Sequence, residues 1–174
     1  LCAVGPVEKG CAFTAVENAW DIKKQVQGQW GSPGAREAQD MTGDEFNDLI
    51  FATYNSGGNA ETKVYLLPSK GDGTFETAEY QFSHNKNKKE GPANSILFAD
   101  FNGDKIGDVL MGLDDDGDAG SAWLYPGKAG GGFSDKGKKA FDLFPGCNIN
   151  CGEDPGHSSN AKTFDFNFDG AMDV

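Results

Sequence analysis

The residues in this sequence best suited to chemistry are aspartates, held in a nine-residue spacing that occurs three times. The copies are Asp40-Met41-Thr42-Gly43-Asp44-Glu45-Phe46-Asn47-Asp48, Asp100-Phe101-Asn102-Gly103-Asp104-Lys105-Ile106-Gly107-Asp108 and Asp165-Phe166-Asn167-Phe168-Asp169-Gly170-Ala171-Met172-Asp173. All fit D-x-[NT]-x-D-x-x-x-D, and their starts lie about 60 and then about 65 residues apart. Oxygen donors at positions 1, 3 and 5 of a tight turn can converge on one point. The carbonyl at position 7 (Phe46, Ile106 or Ala171) can join them, and the carboxylate at position 9 closes the set. Such a set suits calcium, a hard cation that takes six to eight oxygens. The EF-hand shares the opening spacing but needs a Glu at position 12 and a helix on each side. Position 12 is Phe51 in the first loop and Met111 in the second, each inside an apolar run, so position 9 is the last ligand. The competing reading is three Asx-rich surface turns without metal. Against it stands the repulsion among three carboxylates held close together in each loop.

The elements that must position these loops repeat with them. Apolar runs Leu49–Ala52 and Val109–Met111 follow the first two loops. Second runs follow at Val64–Pro68 and Ala122–Pro126, then Gly-rich turns ending in Phe75 and Phe133, then polar and aromatic stretches Glu76–Phe82 and Ser134–Phe144. Ile96-Leu97-Phe98-Ala99 leads into the second loop. Short apolar runs bounded by Gly, Pro, Asn and Asp are strand punctuation. Residues 14–27 come closest to a helical period and read as a strand or an irregular lead-in. The expected fold is therefore all-β, with about four antiparallel strands per unit, the size of a propeller blade.

The chain of 174 residues suffices for one domain, and its net charge of −12 argues against a nucleic-acid partner. That charge fits either an acidic soluble surface or carboxylates awaiting cations. No apolar stretch is long enough to span a membrane. Cys2, Cys11, Cys147 and Cys151 are even in number and sit near the two ends, which favours disulfides and an oxidising compartment. Of the three possible pairings, Cys2–Cys11 with Cys147–Cys151 closes local loops; a four-cysteine zinc site is the alternative, without the usual C-x-x-C spacing. Residue 1 is Leu with no charged-then-apolar leader after it, as expected of a mature or excerpted chain.

The aspartate loop followed by an apolar strand and then Gly71-Asp72-Gly73-Thr74-Phe75 resembles the FG-GAP/VCBS repeat family, which includes integrin α-subunit propellers, fungal propeller lectins and propeller domains of polysaccharide lyases. The resemblance covers residues 35–174, in repeats at about 35–94, 95–160 and a partial 161–174, after a Cys-containing lead-in at 1–34 that could belong to a preceding blade. It implies β-propeller blades with calcium in the loop between adjoining strands. The metal positions it implies are Asp40, Thr42, Asp44 and Asp48; Asp100, Asn102, Asp104 and Asp108; and Asp165, Asn167, Asp169 and Asp173. Thr42 replaces the commoner Asn or Asp, so the first site is expected to be weaker or to use a water. The third copy stops one residue after Asp173, so an incomplete propeller is expected. It would be either an excerpt or a chain completed by other chains, such as copies of itself in a ring or fibre, through exposed strand edges.

Other features have plain readings. Leu113–Asp118 reads as a solvated hairpin turn, with a fourth cation site as the alternative. Lys86, Lys88 and Lys89 read as a solvated loop. His84 and His157 read as isolated loop residues, with no partner arrangement for catalysis or metal binding. Trp20, Trp30 and Trp123 could stack on sugars, although core packing is the default. No nucleophile elbow, phosphate loop or zinc-histidine pair appears, so nothing points to catalysis. The expected function is an extracellular structural, adhesive or assembly role, with calcium stiffening the loops. The alternatives are a glycan-binding lectin and a partial propeller of a polysaccharide lyase or hydrolase.

Overall fold

The structure, a computed structural model, describes residues 36–55, 61–84, 90–115 and 120–142. The third aspartate loop, all four cysteines, residues 14–27, Trp20, Trp30, His157 and the Lys86–Lys89 cluster lie outside the described residues. The strands are β1 (Arg36–Gln39), β2 (Asp48–Asn55), β3 (Glu61–Leu67), β4 (Glu79–His84), β5 (Glu90–Ala99), β6 (Asp108–Asp115), β7 (Ser121–Tyr125) and β8 (Lys138–Asp142). They form two antiparallel sheets of four, β1-β2-β3-β4 and β5-β6-β7-β8, each strand pairing with the next in sequence. No helix occurs among the described residues. The fold is all-β and blade-like, and neither sheet closes into a barrel. Two blades are fewer than the four to eight that close a propeller.

Alternation makes these strands. β3 buries Thr62, Val64 and Leu66 on one face, with Lys63 and Tyr65 half-buried between them. The two blades share even their irregularities: a register shift falls at Val64/Tyr65 against β4 and at the matching Ala122/Trp123 against β8. β6 and β7 pair from Val109↔Tyr125 to Leu113↔Ser121 and β6 runs on to Asp115, so Leu113 is a buried strand residue and not part of a solvated turn; residues 116–118 lie outside the described residues. β5 starts at Glu90, well before the apolar run at 96–99, with irregular register up to Ser95.

The sheets stack front to back. Ile50, Val64, Leu66 and Phe82 of the first blade pack against Ile96, Val109, Met111, Leu113, Trp123 and Tyr125 of the second. Ile50 and Leu110 hold matching places after their loops and lie on the same face of their own blades, but that face meets different surroundings. Ile50 enters the seam, whereas Leu110 packs on the far side with Leu97 and Ala122. The Phe82 ring stacks on Tyr125 at 4.0 Å between centroids. Such stacking repeats the same relation from blade to blade, as a propeller requires.

His84 corrects one expectation. It is the last residue of β4, it is buried, and its Nδ1 hydrogen-bonds the Tyr125 hydroxyl. Its ring meets Trp123 edge-on at 4.8 Å. The strand runs on past Phe82, and a period of two places residue 84 on the seam face. Trp123 is itself core, with its indole N–H donating to Ser121 Oγ at 3.0 Å.

Candidate metal centre

Each described aspartate loop joins the first two strands of its blade: 40–48 between β1 and β2, and 100–108 between β5 and β6. The first aspartate organises the turn. Asp40 Oδ1 accepts from Gly43 N (2.7 Å) and Asp44 N (3.2 Å), and its Oδ2 accepts from Glu45 N (2.9 Å). Asp100 repeats this with Gly103 N (2.7 Å), Asp104 N (3.2 Å) and Lys105 N (2.8 Å). The fifth residue then turns the chain again: Phe46 N donates to Asp44 Oδ1 at 2.9 Å, and Ile106 N to Asp104 Oδ1 at 2.8 Å.

The tight curl needs left-handed backbone at two places. Gly43 and Gly103 sit at φ 81°, where glycine carries little strain. Glu45 (φ 73°) and Lys105 (φ 68°) occupy the same region with side chains, at a cost of roughly 1–2 kcal/mol each. The third copy has Gly170 at this position.

The ninth residue does different work from the first. Asp48 and Asp108 are fully buried. Asp48 Oδ2 accepts from Met41 N and Thr42 N, both at 2.9 Å, and its Oδ1 accepts from Ser69 N at 2.8 Å. Asp108 Oδ2 accepts from Phe101 N at 3.1 Å, and its Oδ1 from Gly127 N at 2.9 Å and Asn102 Nδ2 at 3.2 Å. Each thus clasps the start of its own loop to the turn after the third strand of its blade. That turn is closed alike in both blades, by Glu76 N to Pro68 O and Ser134 N to Pro126 O, both 2.8 Å. Position 7 adds an apolar tie. The Phe46 ring lies over Gly71 and Ile106 lies over Gly127, where a Cβ would collide with it.

The electrostatics follow from this geometry. Desolvation pushes the Asp108 carboxyl above the usual aspartate range. The Gly127 and Phe101 N–H groups oppose that shift, and the charges of Asp104 and Asp100 add to it. Desolvation also pushes on Asp100, but the N–H groups of Lys105, Gly103, Asp104 and Asn102 outweigh it and hold its carboxyl low.

The donors are all oxygen, exposed at positions 1 to 5 except for the half-buried first aspartate, and mutually repulsive in the second loop. By chemistry they fit a hard divalent cation. Their present arrangement is organised around N–H groups: among the described residues no three His, Cys, Asp or Glu side chains converge as a ready metal-holding group. Residues 40, 42, 44 and 48 share one loop, as do 100, 102, 104 and 108. Asp165, Asn167, Asp169, Ala171 and Asp173 lie outside the described residues. Position 3 distinguishes the two loops. The Asn102 amide joins the clasp through Nδ2 while its Oδ1 accepts from Asp104 N at 2.9 Å, whereas Thr42 contributes its backbone N–H to Asp48. Phe51 and Met111 are buried in β2 and β6, where the EF-hand ligand would have to be.

Sequence reasoning missed the partners of the ninth aspartate, the N–H groups of Ser69 and Gly127. The parallel prolines at 68 and 126, each one residue ahead of them, were the available signal. It also missed the left-handed sixth position, which Gly170 in the third copy advertises.

No curated protein and no solved structure matches the chain. The family model described as FG-GAP-like repeat matches residues 40–111. The match runs from the first ligand position of one loop, through β2 to β5, to Met111 beyond the second loop, and the structure gives both loops the same backbone and the same clasp. Over residues 40–111, then, this chain is similar to an FG-GAP-like repeat.

Proposed function

We propose that this chain is an extracellular calcium-binding repeat protein whose ions stiffen the loops of stacked propeller blades in a structural, adhesive or assembly role. The observation that carries the reading is the doubled loop. Two segments about 60 residues apart take up the same turn, with oxygen-bearing side chains at positions 1, 3, 5 and 9. Calcium would be held by Asp40, Thr42, Asp44 and Asp48 with the Phe46 carbonyl, and by Asp100, Asn102, Asp104 and Asp108 with the Ile106 carbonyl. Asp165, Asn167, Asp169, Asp173 and the Ala171 carbonyl would form the third site. The ion supplies charge neutralisation, which the Asp100–Asp104–Asp108 repulsion makes favourable. Binding to the folded loop alone stabilises the fold by mass action.

Disulfides Cys2–Cys11 and Cys147–Cys151 and an oxidising compartment complete the reading. Other chains, including copies of this one, are the proposed partners through β1, β4, β5 and β8, the edge strands of the two sheets among the described residues. The lectin reading loses one of its sugar platforms, because Trp123 is buried in the seam. Isothermal titration of chelator-treated protein with calcium tests the proposal: saturable binding at three sites is expected, and no binding heat would overturn it.

A further inference from the structure

The two blades do not meet evenly. Beside the aspartate loops the seam opens into a cleft of about 440 Å³, within the range of small-molecule sites. Leu66, Phe98 and Phe133 contribute apolar lining, and the two phenylalanines meet edge-on at 6.1 Å. One side comes from the first loop, Asp40 to Gly43. The other comes from the second loop, at Lys105 to Gly107, and from the turn before β8, Lys128 to Gly132. The charged residues of the lining are Lys105, Lys128 and Asp40, so the cleft carries a net positive charge in a chain whose overall charge is −12. Both lysines stand on the second blade's side, across from Asp40. Ala129, Gly130, Gly131 and Gly132 leave the rim low, and side chains added at Gly130 and Gly131 would meet nothing within 4 Å. Local positive charge over apolar walls concentrates anions of matching size.

We propose that this cleft between the blades binds a small carboxylate with an apolar body, its charge at Lys105 and Lys128 and its body over Phe98, Phe133 and Leu66. The site adjoins the calcium loops and shares Asp40, Thr42 and Ile106 with them, but it differs in being cationic and in needing both blades. Lys105 belongs to it because the left-handed sixth position of the second loop carries a lysine where the first loop carries Glu45.

The test is titration of the full chain, in chelator, with phenylacetate, followed by NMR and calorimetry. Phenylacetamide serves as the uncharged control and glucuronate as a sugar acid. Saturable phenylacetate binding is expected, weaker by about tenfold or more for the amide and for K105Q/K128Q, which loses both charges. K105R/K128R should retain it. No saturable binding, equal binding of acid and amide, or unchanged affinity in K105Q/K128Q would each overturn the site. Tighter binding of glucuronate than of phenylacetate would overturn the apolar body. Melting curves check that the variants fold; if K105Q/K128Q does not, Lys128→Gln alone, on an exposed turn, decides by the same criterion.

Discussion

Replacing Asp108 with Ala separates the clasp from any metal. The side chain is fully buried and accepts from Phe101 N, Gly127 N and Asn102 Nδ2 at 3.1, 2.9 and 3.2 Å. Hydrogen bonds to a charged acceptor contribute roughly 1.5–3 kcal/mol each. Two backbone bonds therefore give about 4 kcal/mol, with the exposed Asn102 amide adding little. Removing a desolvated carboxylate that Asp104 and Asp100 repel offsets part of this loss. The expected net loss is about 3 kcal/mol, measured by urea unfolding in excess chelator so that calcium plays no part. Asp48→Ala should lose a similar amount, because Asp48 accepts from Met41 N, Thr42 N and Ser69 N in the same way. Asp40→Ala should cost less, since its bonds lie on an exposed turn. A loss below about 1 kcal/mol for both ninth-position variants would refute the clasp, because water would then satisfy the freed N–H groups.

Thr42→Asn should raise calcium affinity at the first loop about tenfold or less, read by calorimetry, by supplying the amide oxygen that Asn102 has in the second. Glu45→Gly and Lys105→Gly should each stabilise the chelated protein by about 1 kcal/mol, because glycine removes the left-handed strain; destabilisation in urea melts would count against it. The pH dependence has two opposed parts. Asp108, raised, favours the folded state below its unfolded pKa, and that contribution is lost as pH rises through its folded value. Asp100, lowered, contributes stability above its unfolded pKa, and that is lost as pH falls through its folded value. Calcium affinity should therefore fall on acidification toward the raised Asp108 pKa, and Asp108→Asn should flatten that fall in a calorimetric pH series.

Much of this architecture was legible because the loops and strands are local. The Gly43 and Gly103 turns, the strand after each loop and the Pro68 and Pro126 endings are all written in contiguous residues. The front-to-back stacking was not. Ile50 and Leu110 occupy matching positions and look interchangeable in sequence, yet only Ile50 enters the seam. Which face meets which neighbour depends on contacts between blades that no local pattern encodes. The same holds for His84, whose Tyr125 partner lies across the seam in another sheet. At the candidate site the two loops and their oxygen-bearing positions were readable from spacing, but the clasp was not. Asp48 and Asp108 look like further oxygen donors, and only the fold brings Ser69 and Gly127 to their carboxylates.

The most direct test of the central claim is one pair of melting curves, recorded on the full chain in excess calcium and in excess chelator. Three ions that bind only the folded state must raise the midpoint and protect the aspartate loops from proteolysis. The account predicts a clear fall in melting temperature and faster cleavage within 40–48 and 100–108 when calcium is removed. Superimposable curves would contradict it and leave the loops as metal-free turns held by their own N–H groups.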